Sequence, residues 1–189
     1  MEWSRAFEIR LKNEYEMLMS VPENDIVHIE PAPGETPPHV QRYHVTYHVP
    51  TWVQNDDGEI RLQNKTVVLF EMTKLSDPVR IRTAEGRAPF HTDWYESGMY
   101  GAGVGFGPPA LWLYDHIVHV CHVLQFRENV INIHSPSNKA ARDFYLQHRD
   151  DDPPMFPTDT RELPPMPERE PKIRLVKGDR RTDRVNKFE

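Results

Sequence analysis

Residues 88–112 read APFHTDWYESGMYGAGVGFGPPALW. Five of the chain's nine glycines fall in this stretch, at Gly98, Gly101, Gly103, Gly105 and Gly107. A nucleotide loop is the first thing such a cluster suggests, but the spacing argues against one. A dinucleotide turn needs Gly-x-Gly-x-x-Gly between a strand and a helix, whereas Gly101, Gly103, Gly105 and Gly107 simply alternate. No Lys-Ser or Lys-Thr pair follows for a phosphate loop, and Pro108-Pro109 separate the glycines from what comes next. What remains is backbone permissiveness: glycine allows positive φ and the close approach of another chain.

The flanks of this stretch carry periodic signals. Downstream, residues 110–126 (ALWLYDHIVHVCHVLQF) predict a helix with Leu113, Ile117, Val120, Cys121 and Leu124 as its buried stripe. Residues 137–149 predict a second helix, with Ser137 as the N-cap whose oxygen takes a first-turn amide. Upstream, residues 25–30, 42–49, 65–72 and 79–83 predict a four-strand antiparallel meander. In the second of these, Tyr43, Val45, Tyr47 and Val49 share one face, and Arg42, His44, Thr46 and His48 the other. The NDDGE run at 55–59 is a hairpin signal, with residues 65–72 as the partner strand. A helix over 3–19 opens the chain, with Phe7, Leu11, Tyr15 and Leu18 at helical spacing; Val21-Pro22 ends it. This order predicts an α+β fold, helices packed on one face of an antiparallel sheet.

Composition narrows the function classes. The chain has 189 residues, 38% apolar content and a net charge of −6, so a nucleic-acid surface is not expected. No apolar run approaches the ~18 residues of a membrane span, and the N-terminus lacks a signal-peptide core. A single cysteine excludes an internal disulfide and a cysteine-based zinc cluster. A soluble cytoplasmic protein without membrane partners is the expectation. Proline and charge split the chain into a domain over 1–150 and a tail over 151–189. The tail holds seven of eighteen prolines and balances nine acidic against nine basic residues. It is expected to be extended, with Lys172–Val176 as one short strand.

The order of these elements, with these words in it, resembles the ubiquitin-conjugating enzyme family over about residues 5–149. RLKNEYEML at 10–18 is similar to the family's first helix, and SDPVRIRT at 76–83 to its entry into the fourth strand. APFHTDW at 88–94 sits where the family has a His-Pro-Asn motif, Trp112 on its tryptophan opening the next helix, and SPSNKAARDFY at 135–145 on the start of the helix after that. The resemblance implies a UBC-like fold and assigns Arg5, Arg10 and Lys12 to docking an activating-enzyme-like adenylating protein. It implies a ubiquitin-like protein as partner, its extended tail lying along Gly103 and Gly105, with Trp112 also at the partner surface. It further implies a bacterial setting, often antiphage, with a JAMM-type isopeptidase in the same pathway. No cofactor is implied.

The departures from the family sit at the catalytic positions. Its cysteine would fall at Gly101, or at Ala102 with a one-residue slip, and neither is a nucleophile. Its asparagine becomes Asp93, whose charge would repel a developing oxyanion, and its proline becomes Thr92. Three explanations stand: a natural non-catalytic variant, a substituted cysteine, or a different nucleophile. His91 is expected to pin the loop through backbone hydrogen bonds, with acid–base work beside Asp93 as the alternative. Cys121 lies on an apolar stripe and is expected to be inert core. His116, His119 and His122 recur every third residue; a solvated polar face is expected, with a metal site the alternative and no metal assigned. A scaffold acting through its first helix and tail is the remaining functional class.

Overall fold

A computed structural model describes residues 4–74, 77–101 and 111–166. Helix α1 (Arg5–Leu18) leads into strands β1 (Val27–Pro31), β2 (Arg42–Tyr47), β3 (Thr51–Gln54), β4 (Ile60–Gln63), β5 (Thr66–Glu71) and β6 (Arg80–Glu85). Helices α2 (Leu113–Leu124) and α3 (Lys139–His148) follow, with a short 3-10 turn at Glu128–Val130 between them. The α+β class, the antiparallel sheet and the three helices agree with the sequence reading.

The strand pairing differs from it in one respect. The NDDGE turn does not join β2 to its partner. It closes a separate two-stranded hairpin, β3–β4, with Asn55 N–H on the Glu59 carbonyl at 2.8 Å and Gly58 at φ +85°. Glycine is needed there because that φ strains any side chain. Pro50, which has no N–H to give a ladder, lies between β2 and β3. The main sheet runs β1-β2-β5-β6, with Val45 opposite both Ile29 and Val68.

Alternation in β2 decides which face of the sheet is covered. Tyr43, Val45, Tyr47 and Val49 have no solvent exposure. They meet the apolar stripe of α2, where Leu113, Ile117, Val120, Cys121 and Leu124 are all buried. Tyr47 donates its hydroxyl to the Ile117 carbonyl at 3.0 Å, so the one polar atom of that ring is satisfied inside the core.

Helix α2 begins in the interior, where its first N–H groups have no water to meet. Glu14 of α1, itself buried, takes the Leu113 N–H at 2.9 Å, and Asp115 takes the Trp112 N–H at 2.9 Å. Arg10 partly neutralises Glu14 from 3.5 Å. Glu14→Ala is expected to cost about 2–4 kcal/mol in urea unfolding, because it leaves the buried Leu113 N–H without its acceptor and removes the carboxylate beside Arg10. Glu14→Gln keeps an acceptor and is expected to cost clearly less.

Residues 151–166 carry no helix or strand and cross the body as an extended strap. Thr158 bonds the Gln125 and Pro50 carbonyls, Arg161 reaches Asp25 and the His48 carbonyl, and Tyr114 donates to the Pro164 carbonyl at 2.6 Å. Leu163 enters the core, and Phe156 joins rings from Trp52, Phe126, Phe144 and Tyr145. The strand expected at Lys172–Val176 lies outside the described residues.

Candidate functional site

After β6 the chain turns back on itself. Tyr95 N–H bonds the Met99 carbonyl at 2.9 Å around Gly98, whose φ is +82°. Tyr100 N–H then bonds Ile81 O, and Gly101 N–H bonds Asp93 O at 2.7 Å. Trp94, fully buried, shares its indole N–H between Thr83 Oγ1 and the Gly98 carbonyl. The residues on either side of this turn are thereby brought into one place: His91, Asp93 and Gly101.

His91 has no exposed surface. Its Nδ1 accepts the Asp93 N–H at 3.1 Å, so the ring proton belongs on Nε2, which meets no hydrogen-bond partner. Burial pushes its pKa down to about 3, and the imidazole is neutral at physiological pH. Its ring packs edge-on against Phe126, with centroids 4.5 Å apart. Phe126 is held at φ +56°, where a helix ordinarily ends in glycine; the buried ring contact is what the strain secures.

Asp93 is 7% exposed, and burial raises its pKa to about 6, against a hydrogen bond from the Asn132 side chain that pulls it back. Its Oδ2 stands 3.9 Å from His91 Nδ1. Thr92 fastens the loop before α3: its carbonyl takes the Ser137 N–H at 2.7 Å and the Asn138 N–H at 3.2 Å, and its hydroxyl takes the Asn132 N–H.

Ser137 is not the cap of α3. Its N–H is committed to Thr92, and Asn138 caps instead, with Oδ1 accepting Ala141 N–H at 3.0 Å. The Ser137 side chain faces Gly101. A Cβ built on Gly101 would lie 2.0 Å from Ser137 Oγ, 3.0 Å from Ser137 Cβ and 3.1 Å from Tyr95 Cε2. The space in which any side chain of residue 101 would begin is filled. Ala102, Gly103 and Gly105 lie outside the described residues.

The remaining sequence candidates separate in space. Arg5 and Lys12 are exposed on α1, but Arg10 is turned inward, held by Glu14 and the Leu111 carbonyl. Trp112 is half-buried at the head of α2. The expected solvated histidine face is not found. His116 is buried and pushed down to about 4, His119 meets the Tyr100 hydroxyl at 2.9 Å, and His122 meets Glu162 at 3.1 Å. Three-residue steps rotate successive side chains around the helix, and each histidine reaches a different neighbour. Among the described residues no group of three or more histidine, cysteine or acidic side chains can hold a metal ion. Burial raises the Cys121 thiol to about 12, so it stays protonated and unreactive. Among the described residues no helix is long and apolar enough to cross a membrane.

Sequence reasoning missed Ser137 and Asn132 as parts of this site. Asn132 and Ser135 bond each other through backbone and side chain, an Asx-type turn that N-x-x-S spacing signals weakly.

These elements, with the His91–Gly101 turn placed before α2, form a UBC-like fold. The structure is similar to that of S. cerevisiae Ubc12, with a TM-score of 0.50 and 18% identity, over 78% of this chain and 74% of that one. At this identity the likeness defines the fold. No family model matches the chain, and its sequence matches no curated protein.

Proposed function

We propose that this protein is a ubiquitin-conjugating-enzyme-like component of a ubiquitin-like protein conjugation pathway, one that holds the C-terminal tail of the ubiquitin-like protein without forming a thioester at residue 101. The observation that carries this reading is the packing of Ser137 Oγ into the side-chain space of Gly101, on a turn fixed to Asp93. A site arranged for acyl transfer needs a nucleophile there and donors facing the oxyanion. With the family's cysteine position assigned to residue 101, Ser137 Oγ occupies the space its side chain would need, and Asp93, assigned to the family's asparagine, offers a carboxylate in place of a donor. The fold still supports docking, with Arg5 and Lys12 exposed on α1 for an activating-enzyme-like protein. A bacterial pathway, antiphage in purpose and including a JAMM-type isopeptidase, is the setting in which partners should be sought first.

Calorimetric titration with the ubiquitin-like protein of the same pathway tests this reading. Binding is expected with the intact partner and should weaken at least about tenfold when its terminal glycines are removed. No binding, or binding indifferent to the tail, would overturn it.

A further inference from the structure

Strand β1 is an edge of the main sheet, and its outer side is open among the described residues. Its ladder to β2 runs through Ile26, His28, Glu30 and Ala32, with His48 N–H on the Ile26 carbonyl at 2.7 Å and Ala32 N–H on the Arg42 carbonyl at 2.9 Å. Alternation then turns the Ile29 N–H, the Ile29 carbonyl and the Val27 carbonyl away from β2. Asn24 Oδ1 takes the Val27 N–H at 2.9 Å, but those other groups meet no hydrogen-bond partner among the described residues. A cleft of about 300 Å³ lies along the same edge, with Met19, Val21, Pro22, Glu23 and Ile29 among its walls. Met19 is 42% exposed, and Val21 and Ile29 are half-buried. On the opposite face of β1, His28 and Glu30 are exposed. A strand laid along this edge therefore needs apolar side chains toward the cleft and cations toward Glu30. Residues 172–177 read KIRLVK, in which Ile173 and Leu175 alternate with Lys172 and Arg174. The chain is also brought close: Arg161 of the strap is tied to Asp25, just ahead of β1, at 3.0 Å. Met166 can stand at most about 17 Å from Arg161, and the stretch from Met166 to Lys172 spans up to about 20 Å.

We propose that residues 172–176 of the same chain pair with the open edge of β1 as a fifth strand of the main sheet. The backbone of this segment supplies partners for the Ile29 N–H and for the Ile29 and Val27 carbonyls. Ile173 and Leu175 enter the cleft beside Met19 and Val21, and Lys172 and Arg174 lie on the face of Glu30. The added strand withdraws an edge that would otherwise be a template for another chain. This assignment rests on the edge, its cleft and their charge, and does not depend on the conjugation reading.

The test is amide hydrogen exchange, followed by NMR, on the full chain and on a full-length double variant, Ile173→Asp with Leu175→Asp. The two carboxylates cannot enter an apolar cleft beside Glu23, so the variant should leave the edge of β1 open. The Ile29 amide is expected to exchange at least about tenfold more slowly in the native chain than in the variant. The Val45 amide, inside the sheet opposite Val68, should exchange equally in both and shows that the body is intact. Equal rates at Ile29 in the two proteins would overturn the assignment. So would protection that survives the double variant, which means that something else covers the edge. Protection that grows with protein concentration would overturn it too, since the strand would then come from a second copy.

Discussion

A cysteine placed at residue 101 is expected to accept an acyl group efficiently only when Ser137 is made glycine as well. In the single variant, Gly101→Cys, the new Cβ meets Ser137 Oγ at 2.0 Å and Tyr95 Cε2 at 3.1 Å; the hydroxyl can rotate away and the exposed Tyr95 ring can shift, but Ser137 Cβ at 3.0 Å is held by its backbone. Overpacking of this kind costs about 1–3 kcal/mol. The second change, Ser137→Gly, removes both serine atoms. It keeps the backbone N–H on Thr92 O, and the Ser137 hydroxyl gives up no hydrogen bond among the described residues. The double variant should regain most of the lost stability and form a thioester at least about tenfold faster than Gly101→Cys when supplied with the activating enzyme, ATP and the ubiquitin-like protein. Adding Asp93→Asn should raise transfer to an amine by a further ten- to hundredfold, because it replaces a repelling charge with a donor. Non-reducing gels follow both steps. Equal charging of the single and double variants would show that Ser137 does not close the site.

Asp93→Asn alone should stabilise the protein, and only above acidic pH. The folded carboxyl titrates at about 6, above its ordinary value of 3.8, because it is buried. The folded chain therefore holds this proton more tightly than the unfolded chain, and stability contributed by the group falls as pH rises from about 4 to about 6. Above that window the charged form is carried at a cost. Asparagine carries none, so the difference should be near zero below pH 4 and level off above pH 6 at about 1–3 kcal/mol. His91 and His116 work in the opposite sense: with pKa values held down to about 3 and about 4, they withdraw stability as pH drops below about 6.5. Both are present in each protein and cancel in the comparison. Urea unfolding across pH 4–8 measures the difference. A pH-independent gap, or a loss of stability in the variant, would contradict the buried-carboxylate account.

What could be read from the sequence was whatever repeats with a period. The alternation of Tyr43, Val45, Tyr47 and Val49 and the stripe from Leu113 to Leu124 each follow from one rule about which side faces the core, and both faces are buried as expected. The β3–β4 hairpin was less legible, because an NDDGE turn says that two strands meet but not which two. His116 was misplaced outright. A polar side chain opposite an apolar stripe reads as solvated, yet α1 packs against α2, and that face is interior. The site was legible only in part. Motif order drew attention to His91, Asp93 and Gly101, all local in sequence. Ser137 and Asn132 come from some forty residues away, through hydrogen bonds to Thr92 that no spacing rule anticipates.

The most direct test of the account is the intact mass of the native chain after incubation with the activating enzyme, ATP and the ubiquitin-like protein. The account predicts an unmodified mass under conditions where the non-covalent complex forms, with residues 101 and 102 and Ser137 all unacylated. A species heavier by the ubiquitin-like protein less one water, formed on this chain, would contradict it.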